Sequence, residues 1–153
     1  MMSPKDFKPR VHTHCLRLIN TRLHDVREAL RILKESAEGE SKSSMGDKYE
    51  TGRAMIHLEI EKQDAALHNL LQMQGALNNI DPMKQVSLIQ PGVLTKTNHG
   101  WLYLATGLGK VTVDDVDVMV VSPVAPVVKA LRQALESGEG EVNGRVYQLT
   151  VIS

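Results

Sequence analysis

From Leu16 the apolar positions run Leu16, Ile19, Leu23, Val26, Leu30, Leu33 and Ala37. The spacing alternates three and four, which marks a heptad seam. Arg17, Arg22, Asp25, Arg27, Glu28 and Arg31 lie off the seam, and no Pro or Gly interrupts Val11 to Ala37. The stretch Glu38-Gly39-Glu40-Ser41-Lys42-Ser43-Ser44-Met45-Gly46 then breaks the pattern with residues that favour turns. A second seam follows at Ile56, Ile60, Gln63, Leu67, Leu70, Gln74 and Leu77. Its two glutamines cost stability but help to fix register. Asp81-Pro82 ends it, because proline disfavours helical geometry in the residue before it. Two seams with a short connection predict one antiparallel helical hairpin, each arm of about 30 residues extending roughly 45 Å at 1.5 Å per residue. An ordinary helical bundle or pairing between chains fits the same seams.

After Pro82 the period changes. Val86-Ser87-Leu88-Ile89 and Val93-Leu94 precede a turn at Asn98-His99-Gly100. Trp101 to Leu104 reads as a strand with Trp101 and Tyr103 on one face. Val111 to Val113 and Val116 to Val121 read as further strand. Val127 to Leu135 predicts a short amphipathic helix with Pro126 in its first turn. Gly138 to Val142 and Arg145 to Ile152 flank Asn143-Gly144, a strong hairpin signal because both central residues take positive φ. The expected class is therefore α+β: a coiled-coil hairpin over residues 1–80, then a small antiparallel sheet with one helix over 81–153.

Composition sharpens this. The chain has 153 residues, of which 42% are hydrophobic but only 3% aromatic. A helical seam needs Leu, Ile, Val and Ala rather than rings, so the paucity of rings suits a coiled coil. Eighteen Lys and Arg balance eighteen Asp and Glu. The missing basic excess argues against independent, sequence-specific binding of nucleic acid. The single cysteine, Cys15, excludes an intrachain disulfide framework and fits a reducing, cytoplasmic setting. No signal-peptide pattern and no bilayer-length apolar run is visible, so no membrane partner is expected.

The chemistry concentrates at the bend, near residues 38–50. Asp47 and Glu50 are three apart at the start of the second helix, and Glu38 and Glu40 come from the other side of the turn. Such carboxylates suit a hard cation such as Mg²⁺. They equally suit a helix cap, with Asp47 as N-cap and Glu50 at the third helical position. His12-Thr13-His14-Cys15 has no second ligand pair at zinc spacing and reads as helix surface and seam. Gly107-Leu108-Gly109-Lys110 lacks the first glycine and the Ser or Thr of a phosphate loop, and reads as a hairpin turn. No nucleophile elbow is present.

The order of coiled-coil hairpin, acidic tip, Pro-bounded linker and small sheet-and-helix domain resembles the Gre transcript-cleavage factors of bacterial RNA polymerase. Two segments carry the resemblance. Ser43-Ser44-Met45-Gly46-Asp47-Lys48-Tyr49-Glu50-Thr51-Gly52-Arg53-Ala54 is similar to the family's tip, where an Asp and a Glu three apart follow a glycine. It is most similar to a Bacteroidetes-like branch. Val118 to Leu131, with Ser122-Pro123 and Ala125-Pro126-Val127, is similar to the family's strand, Ser-Pro-Ile and helix, and Glu141 to Ile152 to its closing hairpin. Three features depart from the pattern: Ala125 stands for a serine, the stretch from Arg132 to Gly138 replaces a Gly-containing turn, and Lys48-Tyr49 separates the two acids.

The resemblance implies an accessory factor rather than an enzyme. Its C-terminal domain, FKBP-like in fold, would dock on RNA polymerase through Ser122, Pro123 and Pro126. Asp47 and Glu50 would enter the secondary channel and help hold the polymerase's Mg²⁺ for cleavage of backtracked RNA, with Ser43, Ser44, Tyr49, Arg53, Glu38 and Glu40 supporting the tip. The factor would carry no cofactor and hold no metal when free. With Trp101, Tyr103 and Tyr147 as the domain's aromatics, a ring-lined prolyl-isomerase pocket is not expected. Two other readings remain open: a channel binder that blocks polymerase without cleavage, and a coiled-coil adaptor unrelated to transcription.

Overall fold

The computed structural model describes residues 3–41 and 46–153, with side chains for 3–39 and 51–153. Helix α1 (Pro4–Ser41) starts well before the heptad seam. Ser3 is the reason. Its hydroxyl donates to the Asp6 carboxylate at 2.8 Å and accepts the Asp6 backbone N–H at 3.3 Å, a reciprocal cap. Pro4 follows at the first helical position, where its missing N–H costs nothing. Pro9 lies inside the helix and leaves the exposed Lys5 carbonyl without its usual donor. At the other end α1 continues through Glu38-Gly39-Glu40-Ser41, residues expected in the turn. Helix α2 (Gly46–Asn78) starts at the last residue of that stretch, so the connection is shorter than its composition suggested.

Residues Leu18–Gln74 form one compact unit. Its two helix segments pack antiparallel along the expected seams. Ile19, Leu23 and Leu30 of α1 and Leu70 of α2 are buried, while Val26, Leu33, Ala37, Ile56, Ile60 and Leu67 are half-buried. A pair of helices offers each seam residue only one neighbouring helix, which accounts for the partial burial. The seam glutamines differ in role. Gln74 donates across the pair to Asn20 at 2.9 Å, a bond that only this register permits. Gln63 turns back to Glu59 on its own helix at 3.0 Å. Outside the seam, Arg31 pairs with Glu28 at 2.6 Å and Glu35 at 2.8 Å, one helical turn away on either side.

The residues up to Arg17 and Gly75–Ser153 form the second unit. The sequence change after residue 80 marks where helix ends; the packing boundary instead assigns the beginning of α1 and the last turn of α2 to the sheet. The strands are β1 (Leu94–Thr97), β2 (Gly100–Leu104), β3 (Gly109–Val113), β4 (Val116–Val121), β5 (Gly140–Val142), β6 (Arg145–Tyr147) and β7 (Leu149–Ile152), with α3 (Pro126–Ser137) between β4 and β5. Among the described residues, five strands make one sheet in the order β3-β4-β2-β1-β7, and β5 pairs with β6 apart from it.

Three strand expectations need correction. The sheet is mixed rather than antiparallel, because β2 and β4 run parallel with Trp101 opposite Val118 and Tyr103 opposite Val120. Gly107-Leu108-Gly109-Lys110 therefore does not close a hairpin: it carries the chain past one strand position, and β4 returns into the gap. The apolar run 86–89, for which no element was expected, forms no strand, although Val86 and Ile89 are buried. Pro82 and Pro91 bracket it and interrupt any ladder there. The expected strand from Arg145 to Ile152 divides at Gln148. The Asn98 side chain accepts the Gln148 backbone N–H at 2.8 Å, and the Asn98 backbone N–H donates to the Gln148 carbonyl at 3.1 Å. β6 can then pair with β5 while β7 pairs with β1. The Asn143-Gly144 turn is as expected, with φ of 51° and 77°.

Both faces of the sheet are covered. Leu102 and Leu104 point to α3 and cluster with Val128, Ala130 and Leu131. Trp101 and Tyr103, on the other face, meet α1: the Phe7 and Trp101 rings lie 5.6 Å apart, and Tyr103 is fully buried beside His12. The Lys96 ammonium sits 5.7 Å from the Trp101 ring. Gly140 permits the close approach of β5 to α3, since a Cβ there would lie 1.8 Å from the Ala130 carbonyl oxygen.

Two glycines should respond in opposite directions. Gly140→Ala should destabilise by about 2–3 kcal/mol or more, as backbone must move. Gly75→Ala, in open space within α2, should stabilise by about 0.5–1 kcal/mol. Chemical denaturation of the two variants measures both signs.

Candidate functional site

The sequence points to two sites, the bend of the hairpin and the turn before α3. At the bend, α2 begins at Gly46, so Asp47 is the second residue of the helix rather than its cap, and Glu50 is the fifth, where the second turn begins. Residues three apart in a helix lie on neighbouring positions of one face. The exposed Glu38 lies near the C-terminal end of α1. Arg53 is exposed in the second turn of α2 and is engaged by a neighbour. Ser43 and Ser44 lie outside the described residues, as do the side chains of Glu40, Asp47, Tyr49 and Glu50.

The second site is better defined. Ser122 to Ala125 form a turn closed by the Ala125 N–H to the Ser122 carbonyl at 3.1 Å, with Pro123 where a fixed φ helps. Pro126 opens α3, and no side chain caps that helix. Pro123 and Pro126 are exposed and Ser122 is half-buried. Val124 at the crest is 90% exposed, a degree of exposure unusual for a branched apolar side chain on an ordered turn. Beside it an open groove of about 420 Å³ is lined by Ala125, Pro126, Val127, Val142, Arg145 and Tyr147, among others. The turn and groove together form an apolar step with one arginine at its edge.

The His12 region proves to be structural. His12 is buried, with Nδ1 2.8 Å from the Tyr103 hydroxyl; which atom donates depends on the ring tautomer. The Cys15 thiol is buried in the same helix, and desolvation pushes its pKa up to about 11. Such a thiol is inert rather than nucleophilic. Burial likewise raises the Tyr103 phenol, which stays protonated. Lys8, one turn before His12, is also buried and donates from Nζ to the Lys84 carbonyl at 2.8 Å. Among the described residues no group of three His, Cys, Asp or Glu side chains could hold a metal ion. The sequence placed His12 to Cys15 on helix surface and seam, but not the burial of Lys8 and His12 against the sheet unit. The spacing of four and three from Lys8 to His12 to Cys15 was the available signal, continuing a helical face upstream of the seam.

No family model, curated protein or solved structure matches the chain. Among the described residues no helix is long and apolar enough to cross a membrane.

Burial lowers the His12 pKa below 6.5, and the neighbouring Asp81 charge only partly offsets this. The unfolded chain therefore binds the proton more readily than the folded one. Stability from this group should be complete above about pH 6.5 and decline as the pH falls below it toward the folded value. Tyr103→Phe should cost about 1–3 kcal/mol at neutral pH by stripping His12 of its partner. Urea titrations at a series of pH values, for wild type and Tyr103→Phe, measure both effects.

Proposed function

We propose that this chain is an accessory factor of bacterial RNA polymerase that stimulates cleavage of backtracked RNA. The observation that carries the reading is the pair Asp47 and Glu50, three residues apart within the first five residues of the helix that follows the hairpin bend. The resemblance of the tip and of the Val118 to Leu131 segment to Gre factors supplies the partner. The exposed Pro123-Val124 crest and its apolar groove supply a protein-binding surface in the segment where the resemblance expects docking.

The donor set suits Mg²⁺, which is commonly bound through one or two carboxylates together with substrate phosphates. In such a site the metal lowers the pKa of a bound water and stabilises charge on the phosphodiester. The chain's own part is to bring two hard anionic ligands on one short helical turn, held by a paired-helix scaffold. Ser122, Pro123 and Pro126 bind the polymerase, and the cytoplasm is where that partner resides.

The test uses stalled, backtracked polymerase. Wild-type protein should shorten the transcript from its 3′ end, and Asp47→Ala/Glu50→Ala should lose that activity while binding polymerase as tightly. Full cleavage by the double variant would sink the proposed mechanism. Polymerase binding with slowed nucleotide addition and no shortening, by the wild type, would instead establish the blocking factor.

A further inference from the structure

The groove between the first turns of α1 and the β3–β4 turn is unrelated to the hairpin bend and to the docking turn. It measures about 440 Å³, within the range of roughly 300–1,000 Å³ usual for small-molecule sites. One wall is a helix face carrying Arg10, His14 and Arg17, spaced four and three apart. The other is Thr112 and Asp114 at the end of the hairpin. Pro9 and Val113 add an apolar floor.

The hairpin does more than close the groove. Asp114 and Asp115 occupy a two-residue turn with φ of 51° and 63°. Glycine or asparagine would take this conformation at lower cost. The Asp114 carboxylate accepts from Arg10 Nε at 2.8 Å and Nη2 at 3.0 Å. That side-on grip fixes the guanidinium plane and leaves its remaining donors available. Arg17 is exposed, and neither it nor His14 has an ion partner among the described residues. In a chain whose charges balance overall, two arginines here face a single lining carboxylate.

We propose that this groove binds a small phosphate-bearing anion. Guanidinium groups match phosphate oxygens bidentately; the Thr112 hydroxyl already donates to Asp117 at 2.7 Å and lines the groove without serving as a donor to it. A concave site bounded by a helix and a turn suits a compact oxyanion better than an acidic polypeptide, which needs an open ledge. Pro9 and Val113 leave room for a modest apolar neighbour of the phosphate.

Calorimetric titration of the full chain with inorganic pyrophosphate at low ionic strength tests the proposal. Saturable binding is expected, weakened about tenfold by Arg17→Gln, an exposed position where folding is undisturbed. Asp114→Asn, which loosens Arg10, should weaken it also. Arg132→Gln, on the α3 side of the sheet, should leave binding unchanged. Absence of saturable heat would overturn the proposal, as would equal weakening by Arg132→Gln, which would indicate unspecific attraction. Displacement of pyrophosphate by a glutamate-rich peptide at similar concentration would overturn it in favour of a protein-docking surface.

Discussion

A five-stranded sheet has two faces, and one short helix can cover only one of them. α3 covers the face that carries Leu102 and Leu104. The face that carries Trp101 and Tyr103 depends on Phe7 and His12 of α1, which are more than ninety residues away in sequence. At roughly 25 cal/mol per Å² of apolar surface, exposing those rings would forfeit several kcal/mol, a large share of a small domain's stability. This is why the packing boundary falls at Arg17 rather than at the end of the hairpin. α1 thus supplies one segment to each compact unit, and its two segments answer to different constraints: a broad mixed face for the sheet, a narrow heptad seam for the helix pair.

The polar groups on that broad face follow from the same requirement. A lysine and a histidine cannot be buried without partners. Lys8 finds the Lys84 carbonyl, and His12 finds the Tyr103 hydroxyl. Each bond ties α1 to a different part of the unit, the first to the chain just after α2 and the second to the sheet centre. Apolar residues would fill the same volume, but only directional bonds select one axial position of a helix against a sheet. Arg10 and Asp114 add a third such tie at the rim, exposed and correspondingly weaker.

Periodicity made the helices and most strands legible, because burial on one side imposes a period that survives without knowledge of the partner. The seams from Leu16 to Ala37 and from Ile56 to Leu77 are of this kind, and so is β2. Local chemistry made the Asn143-Gly144 hairpin and the start of α3 legible. The misreadings share one cause, that pairing is decided at long range. Gly107 to Lys110 has hairpin composition, yet β4 offers β2 a parallel partner. Gln148 looks like strand interior until Asn98 draws it out of the ladder. At the bend, the positions of Asp47 and Glu50 in the chain were legible, but their place inside the helix rather than on its cap depends on where α2 begins. His12 looked like surface because its partner, Tyr103, lies far along the chain.

The proposed tip chemistry is consistent with where those acids stand. The opening turn of a helix presents unpaired backbone N–H groups and a positive partial charge, which favour carboxylates there. In the proposed reading the same partial charge opposes a cation beside Asp47, with Glu50 just past that turn, so the pair competes poorly for Mg²⁺ on its own. A metal would need further anionic ligands to bind, such as phosphate oxygens and carboxylates that belong to another molecule. In the proposed reading that weakness is functional: the acids can be carried by the free protein without capturing metal, and they contribute only where a partner has already gathered the rest of the coordination shell. A stronger pair, freed from the helix terminus, would bind metal in solution and arrive at its partner already occupied.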